Sequence, residues 1–147
     1  MLNQLREVFS CFQKHDVKYV VIGGIAAVLH GVPRATFDRD ILIEATSDNA
    51  KRLLDALTEA RLATATMTTS ADVLAHEITI FNDRVRIDVQ TRTPGIEFEA
   101  VWPRRKILTY QKQQFYILSL ADLIASKIAS GRPKDIEDIR ALQTGEE

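Results

Sequence analysis

Tyr19-Val20-Val21-Ile22 is a continuous apolar run that stops at Gly23-Gly24, where a helical pattern opens at once through Ile25, Ala26, Val28 and Leu29. A run this short and without polar alternation is that of a strand buried on both faces, so the chain has to place it inside a sheet covered on each side. The glycine pair lets the backbone turn tightly and approach a ligand, and the following helix N-terminus offers free N–H groups to an anion. Taken alone, a Gly-Gly turn is usually only a turn. Gly31 and Pro33 close that helix, and the next strand carries Asp38 and Asp40 and runs to about Glu44. Side chains alternate across a strand, so Asp38 and Asp40 share one face while Ile41 and Ile43 pack the other. Adjacent acids repel, and a cation is expected between them.

The remainder of the chain reads as elements around that unit. Leu2, Leu5, Val8, Phe9 and Phe12 recur at helical spacing, and Thr46 or Ser47 caps a later helix whose inner face is Leu53, Leu54 and Leu57. Residues 63–75, rich in Thr, Ala and Ser, read as a weak strand plus a loop. Ile78, Ile80, Val85, Ile87 and Val89 alternate around Asn82-Asp83, which predicts a hairpin with a two-residue turn. On its second strand Arg84, Arg86, Asp88 and Gln90 face away from Val85, Ile87 and Val89, so Asp88 can reach the face of the earlier acids. Pro94, Gly95 and Pro103 punctuate a loop around Trp102, which is read as packing. Short strands follow at 107–110 and 115–117. Ser119 and Asp122 resemble a capping box for a helix carrying Leu123, Ile124, Lys127 and Ile128 and ending at Gly131. Pro133 then starts a last helix with Ile136, Ile139 and Leu142 inward.

Composition bounds what this chain can do. With 147 residues and 46% hydrophobic content it has the size and apolar material of a single domain, 1–147. A net charge of -1 provides no general basic field, so any nucleic-acid contact has to be local. Cys11 has no partner for a disulfide and reads as a half-buried structural thiol. No segment reaches the ~18 apolar residues of a membrane span, and the start lacks the apolar stretch of a signal peptide, so a cytoplasmic protein is expected.

Oxygen ligands on neighbouring strands suit Mg2+ or Mn2+, and the group Asp38, Asp40 and Asp88 supplies three carboxylates. Gly23-Gly24, Arg34-Ala35-Thr36, Asp38-Arg39-Asp40 and Arg86-Ile87-Asp88 together resemble the nucleotidyltransferase superfamily, whose pattern is a small-residue pair opening a helix, an Arg/Thr approach to D-x-D, and a third acid on a later strand. Ala125-Ser126-Lys127 with Arg132-Pro133-Lys134-Asp135 resembles the later motifs of the AbiEii and MenT-type toxin branch. The resemblance covers most of the chain. It implies an α+β fold, a palm-like mixed β-sheet flanked by helices with further helices at the C-terminus. It also implies Mg2+- or Mn2+-dependent transfer of a nucleoside monophosphate from an NTP to an RNA or protein hydroxyl, in the setting of a toxin–antitoxin pair.

Carried over by residue, the resemblance gives Asp38 and Asp40 to the metals and makes Asp88 the third acid, which helps to deprotonate the acceptor. Gly23 and Gly24 would hold triphosphate through backbone N–H groups, with Thr36 in the same nucleotide site, and Lys127 would neutralise phosphate charge. Arg34 contacts the triphosphate or fixes the loop before the metal strand. Asp135 joins the site or stabilises a helix start, and Lys127 on residue type alone is a solvated helical lysine. Gly24 departs from the Ser of many relatives, which leaves only backbone contacts to phosphate at that position. Two other accounts stay open: a non-catalytic or antitoxin-like module that binds nucleotide or a partner, and a transferase for a small-molecule acceptor. His15, His30 and His76 show no ligand spacing, and Arg104-Arg105-Lys106 is either a solvated strand edge or a local RNA contact.

Overall fold

The computed structural model describes residues 2–22, 40–110 and 112–145, and the predicted positions Gly23, Gly24, Arg34, Thr36 and Asp38 lie outside them. Tyr19–Ile22 (β1) and Asp40–Ile43 (β2) form where the apolar runs predict them, antiparallel, with Ile22 opposite Asp40. Ile78–Asn82 (β3) and Arg86–Gln90 (β4) make the hairpin, and Lys106–Tyr110 (β5) and Gln113–Ile117 (β6) make a second one. Among the described residues the sheet has six strands in the order β3-β4-β2-β1-β6-β5. The pairs β2/β4 and β1/β6 are parallel, so the sheet is mixed, as expected of an α+β chain.

Leu2–Lys14 (α1) and Ser47–Glu59 (α2) pack together on one side of the sheet. Phe9 and Phe12 of α1 meet Tyr19 and Phe115 in an aromatic cluster with ring centroids 4.8–5.5 Å apart. Cys11 is buried against this layer, and burial, with the Glu59 carboxylate beside it, pushes its thiol up to about 11, which makes it an inert structural residue. Thr46 caps α2 as predicted, accepting from the Asn49 amide. Asn49 itself is fully buried. Its side chain accepts from the Lys18 N–H and donates to the Lys18 and Glu44 carbonyls at 2.8–3.0 Å, which ties α2 to the strand ends flanking β1 and β2.

Several expectations fail for identifiable reasons. Residues 63–75 are a 3-10 turn, Ala63–Met67, and a short helix, Ser70–Ala75 (α3), opened by a capping box in which Thr69 and Asp72 serve each other's backbone N–H groups. The hairpin turn is Asp83-Arg84-Val85, three residues, because Asn82 pairs with Arg86. In β3 it is Phe81 that is buried, while Ile78 and Ile80 are exposed, so the apolar residues of that strand fall on both faces. The loop around Trp102 contains a helical turn, Phe98–Val101 (α4), and a 3-10 turn, Trp102–Arg104, with Trp102 stacked on Phe98.

Leu120–Ser130 (α5) and Pro133–Gly145 (α6) close the chain. Ser119 caps α5 by accepting from the Asp122 N–H, and Gly131 ends it at φ +66°, a left-handed conformation that suits glycine. In α5 Leu123 is buried and Ile124 packs on the core, whereas in α6 Ile136 departs from its predicted inward place. Ile128 and Ile136 are exposed, whereas Lys127 and Asp135 are buried, because these two form an ion pair between the helices.

Candidate active site

Asp40 begins β2 and Asp88 lies in β4, and the parallel register makes them direct partners, Asp40 opposite Asp88 and Ile41 opposite Val89. Register partners point to the same face of a sheet, and neighbouring strands are ~4.8 Å apart, so the two carboxylates share one patch of surface. Alternation sends Ile41, Ile43, Ile87 and Val89 to the other face, under the helices, where all four are buried. Asp88 is itself buried and Asp40 half-buried. Ile22, the last residue of β1, stands beside Asp40, so the chain leaves β1 at the acidic patch and returns to it at β2.

Asp88 is held by Arg86, two positions earlier on the same strand face, with Nε donating to Oδ1 at 2.9 Å and Nη2 donating to Oδ2 at 3.1 Å. The donor set of this patch is oxygen only, the chemistry that Mg2+ and Mn2+ take, and Asp40 and Asp88 fit such an ion. Among the described residues no group of three metal-ligating side chains occurs, and Asp38, the third predicted acid, lies outside them.

Lys127 and Asp135 form a second centre between α5 and α6. Lys127 Nζ lies 3.4 Å from Asp135 Oδ1, and the carboxylate also accepts from Ser130 Oγ and Arg132 Nε, each at 2.7 Å. Burial by itself would raise the Asp135 carboxyl, but those hydrogen bonds and the charges of Lys127 and Arg132 outweigh it and hold it below the ordinary carboxylate range. Lys127 is thus no solvated lysine. The structure brings the predicted site residues together as two pairs, Asp40 with Asp88 and Lys127 with Asp135.

A cleft of about 650 Å³ opens on the sheet at Leu42, two residues along β2 from Asp40 and on the same face. Thr91, Thr93, Phe98, Arg104 and Asp122 are among its walls. Arg104 grips Asp122 through two hydrogen bonds of 2.8 and 3.1 Å, and Arg105 lies over the Trp102 ring, 3.7 Å from its centroid. Arg104 and Lys106 are exposed, as expected of a solvated edge, and Arg105 is half-buried, while Arg104 and Arg105 also contact side chains of the protein itself. Arg104, held by Asp122, was missed in the sequence as a cleft residue, because two charges 18 positions apart carry no periodic signal. Arg86 was visible in the motif, and strand parity alone aims it at the Asp88 face.

A family model described as "Nucleotidyltransferase of unknown function (DUF6036)" matches residues 1–144. No curated protein matches the chain. Among solved structures, a Thermotoga maritima protein provisionally named a nucleotidyltransferase is 15% identical with a TM-score of 0.60, over 97% of this chain and 92% of that one. An antigenic nucleotidyltransferase-like protein from Paracoccidioides brasiliensis is 18% identical with a TM-score of 0.57, over 94% of this chain and 72% of its own. At these identities the two structures share the fold with this chain.

Proposed function

The chain belongs to the nucleotidyltransferase family DUF6036, and from that premise we propose that it moves a nucleoside monophosphate from an NTP to a hydroxyl of RNA or protein, using Mg2+ or Mn2+ held by Asp38, Asp40 and Asp88. The observation that carries this reading is the register pairing of Asp40 with Asp88, which sets two carboxylates on one face of a mixed sheet. A bound divalent ion would supply positive charge to the triphosphate and to the attacking oxygen.

The chain's own residues have separate tasks in this reaction. Asp88 takes the proton of the acceptor hydroxyl as its oxygen bonds to the α-phosphorus, while the bond to the β-phosphate bridge breaks and pyrophosphate leaves. Gly23, Gly24 and Thr36 bind the triphosphate, and Arg34 adds a fork to it or fixes the approach to β2. Lys127, held by Asp135, carries charge toward phosphate in the manner of the AbiEii and MenT-type branch. The cleft beginning at Leu42 gives an acceptor room on the face that carries the acids. A toxin–antitoxin setting follows from that branch, with a cognate partner to restrain the activity.

Incubation with each α-labelled NTP, Mn2+ and separated RNA and protein fractions tests the proposal. Label should enter one fraction with the native chain and not with Asp40→Asn. Failure of every NTP and acceptor to yield label, from protein that still binds nucleotide, would favour the module that binds without transfer.

A further inference from the structure

Arg86 meets Asp88 with a planar fork that uses both carboxylate oxygens. Asp88 is the inward member of this pair and Arg86 the outward one: their side chains are 11% and 41% exposed. The guanidinium is bound to Asp88, whose register partner is Asp40, and it occupies one lone pair on each Asp88 oxygen. An ion pair with one partner so open to water adds little to stability. Its position on the acidic face therefore calls for a different explanation.

We infer that Arg86 is the resident counter-cation of Asp88, that an arriving divalent ion displaces it from that carboxylate, and that its fork then takes a phosphate oxygen of the nucleotide which that ion accompanies. The inference rests on the metal-site reading above. A doubly charged ion on Asp88 repels a guanidinium on the same carboxylate, and the outward placement of Arg86 lets it swing aside. Its backbone stays two residues from Asp88, so the released charge remains at the same face, and the geometry of a guanidinium suits phosphate as well as carboxylate. The exchange makes and breaks ionic contacts only.

Two titrations separate this role from simple support of Asp88. Mn2+ alone is titrated into the apo-protein and followed by electron paramagnetic resonance, and preformed Mn2+–tripolyphosphate, which needs no base preference, is titrated by calorimetry. Arg86→Gln should bind Mn2+ roughly tenfold more tightly and Mn2+–tripolyphosphate roughly tenfold more weakly. A structural role would move both constants in the same direction. Arg86→Lys, which keeps the charge and loses the fork, should fall between on both, and it carries the test if Arg86→Gln does not fold by circular dichroism. Unchanged or weaker Mn2+ binding by Arg86→Gln overturns the inference while Mn2+ binding by the native chain, lost in Asp40→Asn, keeps the metal site. Absence of Mn2+ binding in every form overturns both.

Discussion

In the proposed reaction the chemistry turns on Asp40 and Asp88, register partners on neighbouring strands. Asp40→Asn keeps the size of the side chain and removes its charge, so the chain should still fold while transfer falls by roughly 10²–10³-fold, the usual effect of losing one group that steadies developing charge. Thermal unfolding beside a label-transfer assay checks both halves, and a large drop in melting temperature would show that Asp40 is structural. The Asp88 parity was legible, because Ile87 and Val89 alternate with Arg86 and Asp88 in the sequence. Its neighbour was not, since strand order is a tertiary fact that residue spacing does not encode. Lys127 was misplaced on residue type for a related reason: its partner Asp135 belongs to the next helix, and a buried ion pair leaves no mark on hydrophobic periodicity.

Elements were readable where one face is uniformly apolar and obscure where that is untrue. β1, β2, α1 and α2 lie where the apolar pattern puts them, and the Thr46 cap follows from residue type. Residues 63–75 were missed because segments of five and six residues are too short to show a helical period, although Thr69 and Asp72 already spelled the capping box. β3 carries apolar residues on both parities, and only its register with β4 decides that Phe81 goes inward. Asn49 is the polar residue that locks α2 to the sheet. Asn49→Ala would take the partner from the part-buried Lys18 N–H and Glu44 carbonyl, at a cost of about 1–3 kcal/mol measurable by urea unfolding. A loss below about 0.5 kcal/mol would contradict that assignment. Gly95 seats the cleft loop against α5. It has φ +84°, and a Cβ there would lie 2.6 Å from Ala129 Cβ and 2.9 Å from the Ala125 carbonyl, so Gly95→Ala should destabilise the fold by 1 kcal/mol or more, by rough estimate.

For the whole molecule, acid should act on the C-terminal half through two carboxylates. The Arg104 fork, against the opposing effect of burial and with help from Ser119, holds Asp122 below its ordinary value, and Asp135 is lowered as well. A folded value below the unfolded one means that these contacts stabilise fully above the unfolded pKa of 3.8 and that the gain disappears as pH falls through the lowered folded values. Asp122→Asn and Asp135→Asn should therefore be less stable than the native chain at neutral pH and converge on it as pH falls below 3.8 through the lowered folded values, as thermal melts across that range would register. A gap that persists unchanged into strong acid would contradict the sign. The strand order of the mixed sheet places Asp40 beside Asp88, and the family is described as one of nucleotidyltransferases. Nucleotide transfer at the acidic face is the proposed activity. Its most direct measurement is the pairing of α-labelled and γ-labelled NTP with the native chain and Asp40→Asn in the presence of Mn2+ and RNA or protein. Stable label is expected from the α-position only, and from the native chain only. Equal labelling by Asp40→Asn, or retention of the γ-label, would contradict it.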